Sequence, residues 1–198
     1  MKRLIFVILL VGLFVNQASA TVWNLNESNV NLGVTGNFAT VDISVVDHIA
    51  TFRVDANQAL LGTGNNFGVD KFFFNTTLST IDASDFNLAN WTLKLNKDAS
   101  TYGKFELLYT GPSDRVDPLI FTVTDNAITS ADNFYETGSD GVHHFVAHIG
   151  GFPALNDQSS AFFTDGPTTT SVPEPGTMLL LGAGFLGLAV YGKRRRNA

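Results

Sequence analysis

The alternation of apolar and polar residues along the middle of this chain constrains its fold more than any other feature. In residues 39–45 the apolar side chains fall on odd positions, and after a turn at residues 47–48 they fall on even positions, such as Phe52 and Val54. A period of two places successive side chains on opposite faces of a strand. The pattern therefore predicts a β-hairpin whose two strands bury the same face.

Similar runs recur further along the chain, with turn-forming residues between them. The runs lie at residues 69–74, 91–95, 105–109, 119–123, 142–149 and 161–164. Gly, Asn, Asp and Pro stand between them, as at residues 96–98, 111–114 and 150–151. Many short strands joined by polar turns predict an all-β fold, an antiparallel β-sandwich or jelly roll, over residues 21–165.

The first 20 residues have the pattern of a secretory signal peptide. It begins with the basic residues Lys2 and Arg3, which an apolar stretch follows at residues 4–15. Ala18 and Ala20 then form a small-x-small cleavage site. A helix over residues 4–15 spans about 18 Å, which is short of the roughly 30 Å of bilayer hydrocarbon. We therefore predict cleavage after Ala20 by signal peptidase, following export through the Sec pathway.

The C-terminal end of the chain has the pattern of a stop-transfer segment. Residues 176–192 carry no charge, and the cations Lys193, Arg194, Arg195 and Arg196 follow them directly. Positive residues stay on the cytoplasmic side of a membrane. The pattern predicts a short transmembrane helix over residues 176–192 with a basic tail at 193–198, so that the preceding domain lies outside the inner membrane and the C-terminus inside.

A short motif precedes the apolar stretch and the basic cluster: Val172, Pro173, Glu174 and Pro175. The three parts in this order resemble a PEP-CTERM sorting signal over residues 173–198, with its motif at 173–175. The resemblance implies a Gram-negative, exopolysaccharide-producing bacterium in which an exosortase, a membrane-embedded cysteine protease, recognises the triplet and cleaves near it. The prolines keep this motif extended and outside the following helix. Residues 166–172 are interpreted as an extended linker.

Charge and cysteine content narrow the partners that the domain is able to bind. Residues 21–172 hold 17 of the 18 acidic residues but only six of the 12 basic ones, a net charge of −11. Such a surface repels nucleic acid, but tolerates divalent cations and neutral or cationic polymers. The chain has no cysteine, so neither a disulfide nor a thiol nucleophile is available to it.

Three histidines in one short segment, His143, His144 and His148, are candidate metal ligands. In a strand, which the surrounding residues favour, His144 and His148 share a face but lie about 13 Å apart. Two side chains at that separation do not share one zinc ion without further ligands. A structural or surface role is therefore the alternative that the pattern favours.

Two pairs of acids and five aromatic residues complete the set of candidates. Asp82 with Asp85, and Asp114 with Asp117, are candidate pairs of calcium ligands or of a general acid and base. Trp23, Trp91, Tyr102, Tyr109 and Tyr135 are candidates for stacking on sugars, or else core and edge residues. No established catalytic or calcium-loop pattern surrounds the acids.

Together these features predict an exported, non-enzymatic surface or matrix protein that is anchored transiently, processed by an exosortase and associated with exopolysaccharide or biofilm. No cofactor is expected, and calcium is the alternative. The alternative is a small secreted carbohydrate-active or metal-dependent hydrolase that uses the aspartate pairs or the histidine segment. Two carboxylates facing each other in a cleft, or three converging histidines, would favour that alternative.

Overall fold

The computed structural model describes residues 19–166, and nearly all of its regular structure is strand. The strands are β1 (Ser19–Ser28), β2 (Ala39–Val46), β3 (Ile49–Ala56), β4 (Gly68–Phe74), β5 (Thr92–Asp98), β6 (Lys104–Tyr109), β7 (Leu119–Thr124), β8 (Val146–Leu155) and β9 (Gln158–Asp165). A single helical turn, α1 (Gln58–Leu61), and short 3₁₀ turns at Ala83–Asp85, Pro112–Asp114 and Ala131–Phe134 lie between them. The all-β prediction is confirmed.

The nine strands form one antiparallel sheet in the order β5-β6-β4-β8-β9-β1-β2-β3-β7. Although β3 and β4 are far apart in this order, the ring of Phe52 in β3 lies 6.2 Å from that of Phe72 and 5.9 Å from that of Phe74 in β4. The sheet therefore bends until its two halves face each other. Phenylalanine rings fill the space between them, and each fully buried ring contributes about 1.5–3 kcal/mol of hydrophobic stabilisation.

The hairpin predicted from the alternating pattern is formed by β2 and β3. Ile43 pairs with Phe52 and Val41 with Val54, and all four side chains are fully buried. The two turn residues between the strands have positive φ values of 49° and 65°. Turns of this kind match the right-handed twist of paired strands, which explains the tight connection.

Two strand boundaries differ from the prediction. The run at 142–149 begins as a turn, because the side chain of Asp140 accepts hydrogen bonds from the backbone N–H groups of Val142 and His143. Strand β8 starts only at Val146 and continues through the two glycines predicted as a turn. Similarly, β5 continues through residues 96–98, where a pairing irregularity accommodates the positive φ of Asn96.

Strand β1 is absent from the predicted runs, yet it lies between β9 and β2 inside the sheet. Trp23 and Leu25 point into the core and alternate with Asn24 and Asn26, but asparagine is uncommon in strands and weakens the strand signal. The strand begins at Ser19, so the predicted cleavage after Ala20 would leave Thr21–Ser28 in place. Ala18 and the rest of the predicted signal peptide lie outside the described residues.

The predicted linker beyond Gly166, the sorting motif, the apolar segment and the basic tail also lie outside the described residues. Within residues 19–166, no helix has the length and apolar content that crossing a bilayer requires.

Candidate functional site

The three histidines considered as metal ligands each contact a different aspartate. The Nδ1 atoms lie 2.5 Å from Asp140 Oδ2 for His143, 2.8 Å from Asp165 Oδ2 for His144, and 2.5 Å from Asp70 Oδ1 for His148. Among residues 19–166, no group of three or more metal-binding side chains is arranged to hold an ion. The three imidazoles therefore do not form the shared metal site considered from the sequence.

Asp70 is one of two fully enclosed carboxylates in this group, since it and Asp165 each have 1% of their surface exposed. It lies at an irregularity in the pairing of β4 with β8 and also accepts a hydrogen bond of 2.9 Å from Nε of Arg115. Burial acts to raise the pKa of Asp70, but the hydrogen bonds and charges of His148 and Arg115 outweigh it. The pKa of Asp70 therefore lies below its ordinary value.

A glycine in β8 makes room for the arginine of this network. A Cβ atom on Gly150 would lie 2.7 Å from the guanidinium carbon of Arg115, far inside normal contact distance. This strand position therefore requires glycine, because the side chain of Arg115 packs against its backbone. The turn predicted there from Gly150 and Gly151 is replaced by a close approach between a strand and a side chain.

Asp165 fixes the end of β9, the last strand before the predicted linker. Its Oδ1 atom accepts hydrogen bonds of 2.9 Å from the backbone N–H groups of His144 and Phe145. The His144 ring also packs on Trp23, with the ring centroids 4.4 Å apart. One residue further, the N–H of Gly166 donates to the side chain of Asn26 in β1. The exit of the chain from the domain is therefore held firmly.

His143 ties the loop before β8 to β1. Besides its contact with Asp140, its Nε2 atom lies 3.5 Å from Oε2 of Glu27. Burial acts to raise the pKa of Asp140, but hydrogen bonds from His143 and from the backbone lower it below the ordinary value. Next to this group, burial and the charge of Glu27 raise the pKa of Tyr102 to about 12.

The predicted aspartate pairs have local structural partners. Asp82 and Asp85 form a reciprocal cap on the 3₁₀ turn between them, each accepting a backbone N–H of the other end. Asp117 accepts hydrogen bonds from the backbone of Ala56 and the side chain of Gln58. Of these four aspartates, only Asp114 lines one of the two cavities described below, and its predicted partner Asp117 does not line it.

The five aromatic candidates are all at least half-buried. Trp23 and Tyr102 belong to the core, whereas Trp91, Tyr109 and Tyr135 are half-buried. The ammonium of Lys94 lies 4.5 Å from the centre of the Tyr109 ring and covers one of its faces. Trp91, by contrast, lines an open cavity.

The cavity beside Trp91 has a volume of about 590 Å³ and a polar lining. It is lined by Ala89, Asn90, Trp91, Thr110, Asp114, Arg115 and Val116. An aromatic face surrounded by amide, hydroxyl, carboxylate and guanidinium groups matches the chemistry of a sugar, which has apolar ring faces and many hydroxyl groups. Two predicted candidates, Trp91 and Asp114, are thus brought together.

A second cavity, of about 450 Å³, was not found from the sequence. It is lined by Phe74, Thr76, Thr77, Leu78, Ser79, Ile81, Phe86, Leu93, Leu95, Glu106 and Glu136. The two glutamates are 30 positions apart, so no local pattern connects them. One feature of the sequence could have indicated this cavity, namely the position of Glu106 in β6. Glu106 pairs with Phe74 and lies two residues from the buried Leu108, so it is a charged residue on the inward face of the strand.

Burial, and then the charge of Glu136, raise the pKa of Glu106 above its ordinary value. The amide of Asn75 holds the two glutamate segments together, because its oxygen accepts the N–H of Glu106 and its nitrogen donates to the carbonyl of Thr137. Among the described residues that line this cavity, none is lysine, arginine or histidine. The two carboxylates therefore lack a compensating positive charge within its walls.

Comparison with known proteins concerns the C-terminal part of the chain. Residues 171–196 match the family model of the PEP-CTERM protein-sorting motif, which confirms the prediction made from Val172–Pro175 and Lys193–Arg196. No curated protein and no solved structure matches the chain. The motif implies export, membrane-anchored sorting before cleavage, and processing by an exosortase to a secreted or surface protein.

Proposed function

We propose that this chain is a non-enzymatic surface or extracellular-matrix protein. It is exported through the Sec pathway, held in the inner membrane by residues 176–192, and released by an exosortase. The folded β-domain then associates with exopolysaccharide. The sorting motif at residues 171–196 carries this proposal, because it implies the route and the processing enzyme.

The use of the ionisable side chains supports a role without turnover. The buried carboxylates of Asp70 and Asp165 are engaged by histidine, arginine or backbone N–H groups. Among the aspartates that favoured a hydrolase, Asp82 and Asp85 cap a turn and Asp117 holds the end of β3, whereas Asp114 lines the cavity beside Trp91 without its predicted partner. Carboxylates bonded in this way within the fold stabilise the domain, which is the role that the proposal gives them.

The cavity beside Trp91 supports polysaccharide as the partner. It is open, about 590 Å³ in volume, and combines one aromatic face with Asn90, Asp114 and Arg115. The domain is strongly acidic, which favours a neutral or cationic polymer over an anionic one.

Processing is tested by replacing both Pro173 and Glu174 with alanine in the natural host. We expect this variant to stay in the membrane fraction, while the unaltered protein is released. Replacement of Thr168 and Thr169 by alanine is the matched control in the predicted linker, and it should leave release unchanged. Equal release of the motif variant and the control would contradict exosortase processing.

Polysaccharide association is tested by co-sedimentation of the released protein with exopolysaccharide purified from the same host. We expect Trp91→Ala to weaken binding by about tenfold, and Trp91→Phe to retain most of it because an aromatic face remains. Tyr109→Phe serves as a control, since Lys94 covers that ring. Unchanged binding by Trp91→Ala would exclude this cavity as the polymer site.

A further inference from the structure

The cavity that contains Glu106 and Glu136 has a mostly apolar wall. Its apolar residues are Phe74 of β4, Leu93 and Leu95 of β5, and Leu78, Ile81 and Phe86 of the connection between β4 and β5, and the hydroxyl residues Thr76, Thr77 and Ser79 line it as well. Leu95 leaves 61% of its surface exposed, whereas Phe74 is a core residue with 1% exposed. The cavity therefore borders the core at Phe74 and solvent at Leu95.

Two carboxylates project into this apolar space without a cation to balance them. Glu106 comes from β6, where its backbone is paired with Phe74, and Glu136 comes from the loop before β8. The amide of Asn75 bonds both segments, so their separation is fixed by the fold rather than by a flexible loop. An uncompensated pair of like charges in an apolar wall is destabilising unless a positive group binds between them.

We propose that this cavity binds a protonated amine that is carried on an apolar body. The amine lies between Glu106 and Glu136, and the apolar body packs against Phe86, Leu93 and Leu95. This assignment goes beyond the proposed function, since it rests on a different cavity and does not depend on processing of the tail or on binding of polysaccharide.

The composition of the wall selects this ligand class over others. An anion would be repelled by both glutamates, and a neutral apolar ligand would remove water from the carboxylates without replacing it. The described residues provide no group of metal-binding side chains arranged to hold an ion there. A volume of about 450 Å³ lies within the range of small-ligand sites.

The first experiment compares three probes of one shape and different charge. Isothermal titration of the full chain in phospholipid nanodiscs, with empty nanodiscs as the blank, measures binding of 2-phenylethylamine, 2-phenylethanol and phenylacetate. We expect the amine to bind at least about tenfold more tightly than the alcohol near neutral pH, and phenylacetate to bind more weakly than either. Equal affinity for amine and alcohol would overturn the proposal, as would the absence of binding by all three at millimolar concentration.

The second experiment removes the charges without changing the shape of the wall. Glu106→Gln combined with Glu136→Gln should reduce the affinity for the amine to that for the alcohol, a loss of about tenfold, while binding of the alcohol is retained. Retained alcohol binding also shows that the variant is folded. Asp157→Asn, in the turn between β8 and β9 at the opposite end of β8 from the cavity, is the matched control and should bind the amine like the unaltered chain.

The affinity should also depend on pH in a specific direction. Because Glu106 takes up a proton more readily than an ordinary glutamate, its attraction for the amine is lost as the pH falls toward its raised pKa. We expect amine binding to weaken between neutral pH and about pH 4, while alcohol binding stays constant. An amine affinity that is unaffected by the double glutamine substitution, or by this change in pH, would assign the binding to some other part of the molecule.

Discussion

Asp70 and Glu106 lie on neighbouring strands, β4 and β6, and their carboxylates are in opposite electrostatic settings. Asp70 is buried but bonded to both His148 and Arg115, and the pKa of its carboxyl is lowered. Glu106 is half-buried beside another glutamate, and its pKa is raised. Burial alone therefore does not decide the role of an acid in this domain: a compensated carboxylate stabilises the fold, whereas an uncompensated one is available to a ligand.

Two compensated ion pairs differ, in turn, in how much of each is exposed to solvent. Arg53 and Asp55 lie 2.5 Å apart on the surface, with 45% and 40% of their side chains exposed. Asp70 and Arg115 lie 2.9 Å apart with 1% and 15% exposed. Solvent screens the first pair, so its net contribution is small, whereas loss of one partner from the second leaves a charge in a poorly hydrated place.

The largest effect should come from removing the compensated carboxylate. We expect Asp70→Ala to lower the free energy of unfolding by about 3 kcal/mol, at the lower end of the range for a broken buried pair because Arg115 retains some exposure. Urea denaturation followed by tryptophan fluorescence measures the change. The control, Asp55→Ala, should cost less than about 1 kcal/mol.

The pH dependence of this effect has a definite sign. Since the pKa of Asp70 is lowered in the folded state, its stabilisation is present above the ordinary value of 3.8 and is lost as the pH falls through the lower folded value. The difference between Asp70→Ala and the unaltered chain should therefore shrink below about pH 3.8. A constant difference across this range would show that cavity formation, and not charge pairing, causes the loss.

A smaller effect should follow from displacing the arginine while keeping the aspartate. We expect Gly150→Ala to lower the free energy of unfolding by about 1–3 kcal/mol, because its Cβ would lie 2.7 Å from the guanidinium carbon of Arg115. Gly111→Ala is the control, since its Cβ would come no closer than 3.3 Å to a neighbouring atom. Equal stability of the two variants would mean that Arg115 moves away without cost.

The smallest effect, of opposite sign, is expected at the uncompensated carboxylate. Glu106→Gln should raise the free energy of unfolding near neutral pH by less than about 1 kcal/mol, because burial and Glu136 both disfavour the charge. Since the folded pKa lies above the ordinary 4.5, this gain should disappear as the pH falls below that value and Glu106 becomes neutral in both states. Denaturation at the two pH values measures it, and a loss of stability on substitution would contradict the electrostatic assignment.

The sequence predicted those features that depend on residues close together in the chain. The β2–β3 hairpin followed from strict alternation, and the tail followed from its motif and charges. Strand β1 was missed, because its asparagines have a low strand propensity and its place inside the sheet depends on pairing with β9, far along the chain. Gly150 was wrongly predicted to be part of a turn, because it stands next to another glycine. The actual reason for a glycine at this position is the side chain of Arg115, 35 residues earlier in the chain.

The candidate sites show the same limit. The contact of His148 with Asp70 spans 78 positions in sequence. The sequence therefore showed three histidines within six residues, but not that each contacts a different aspartate. Glu106 was visible as a polar residue at an inward strand position, but Glu136 was not, because a loop carries no periodicity. Pairs of this kind are created by the order of strands, which short-range patterns do not encode.

Intact-mass and C-terminal peptide spectrometry, on protein recovered separately from membrane and extracellular fractions of the natural host, test the central claim most directly. The account predicts a released form that begins at Thr21 and ends between residues 172 and 176, without the apolar segment. Persistence of that segment and of Lys193–Arg196 in every fraction would contradict it and would leave the β-domain tethered at the inner membrane.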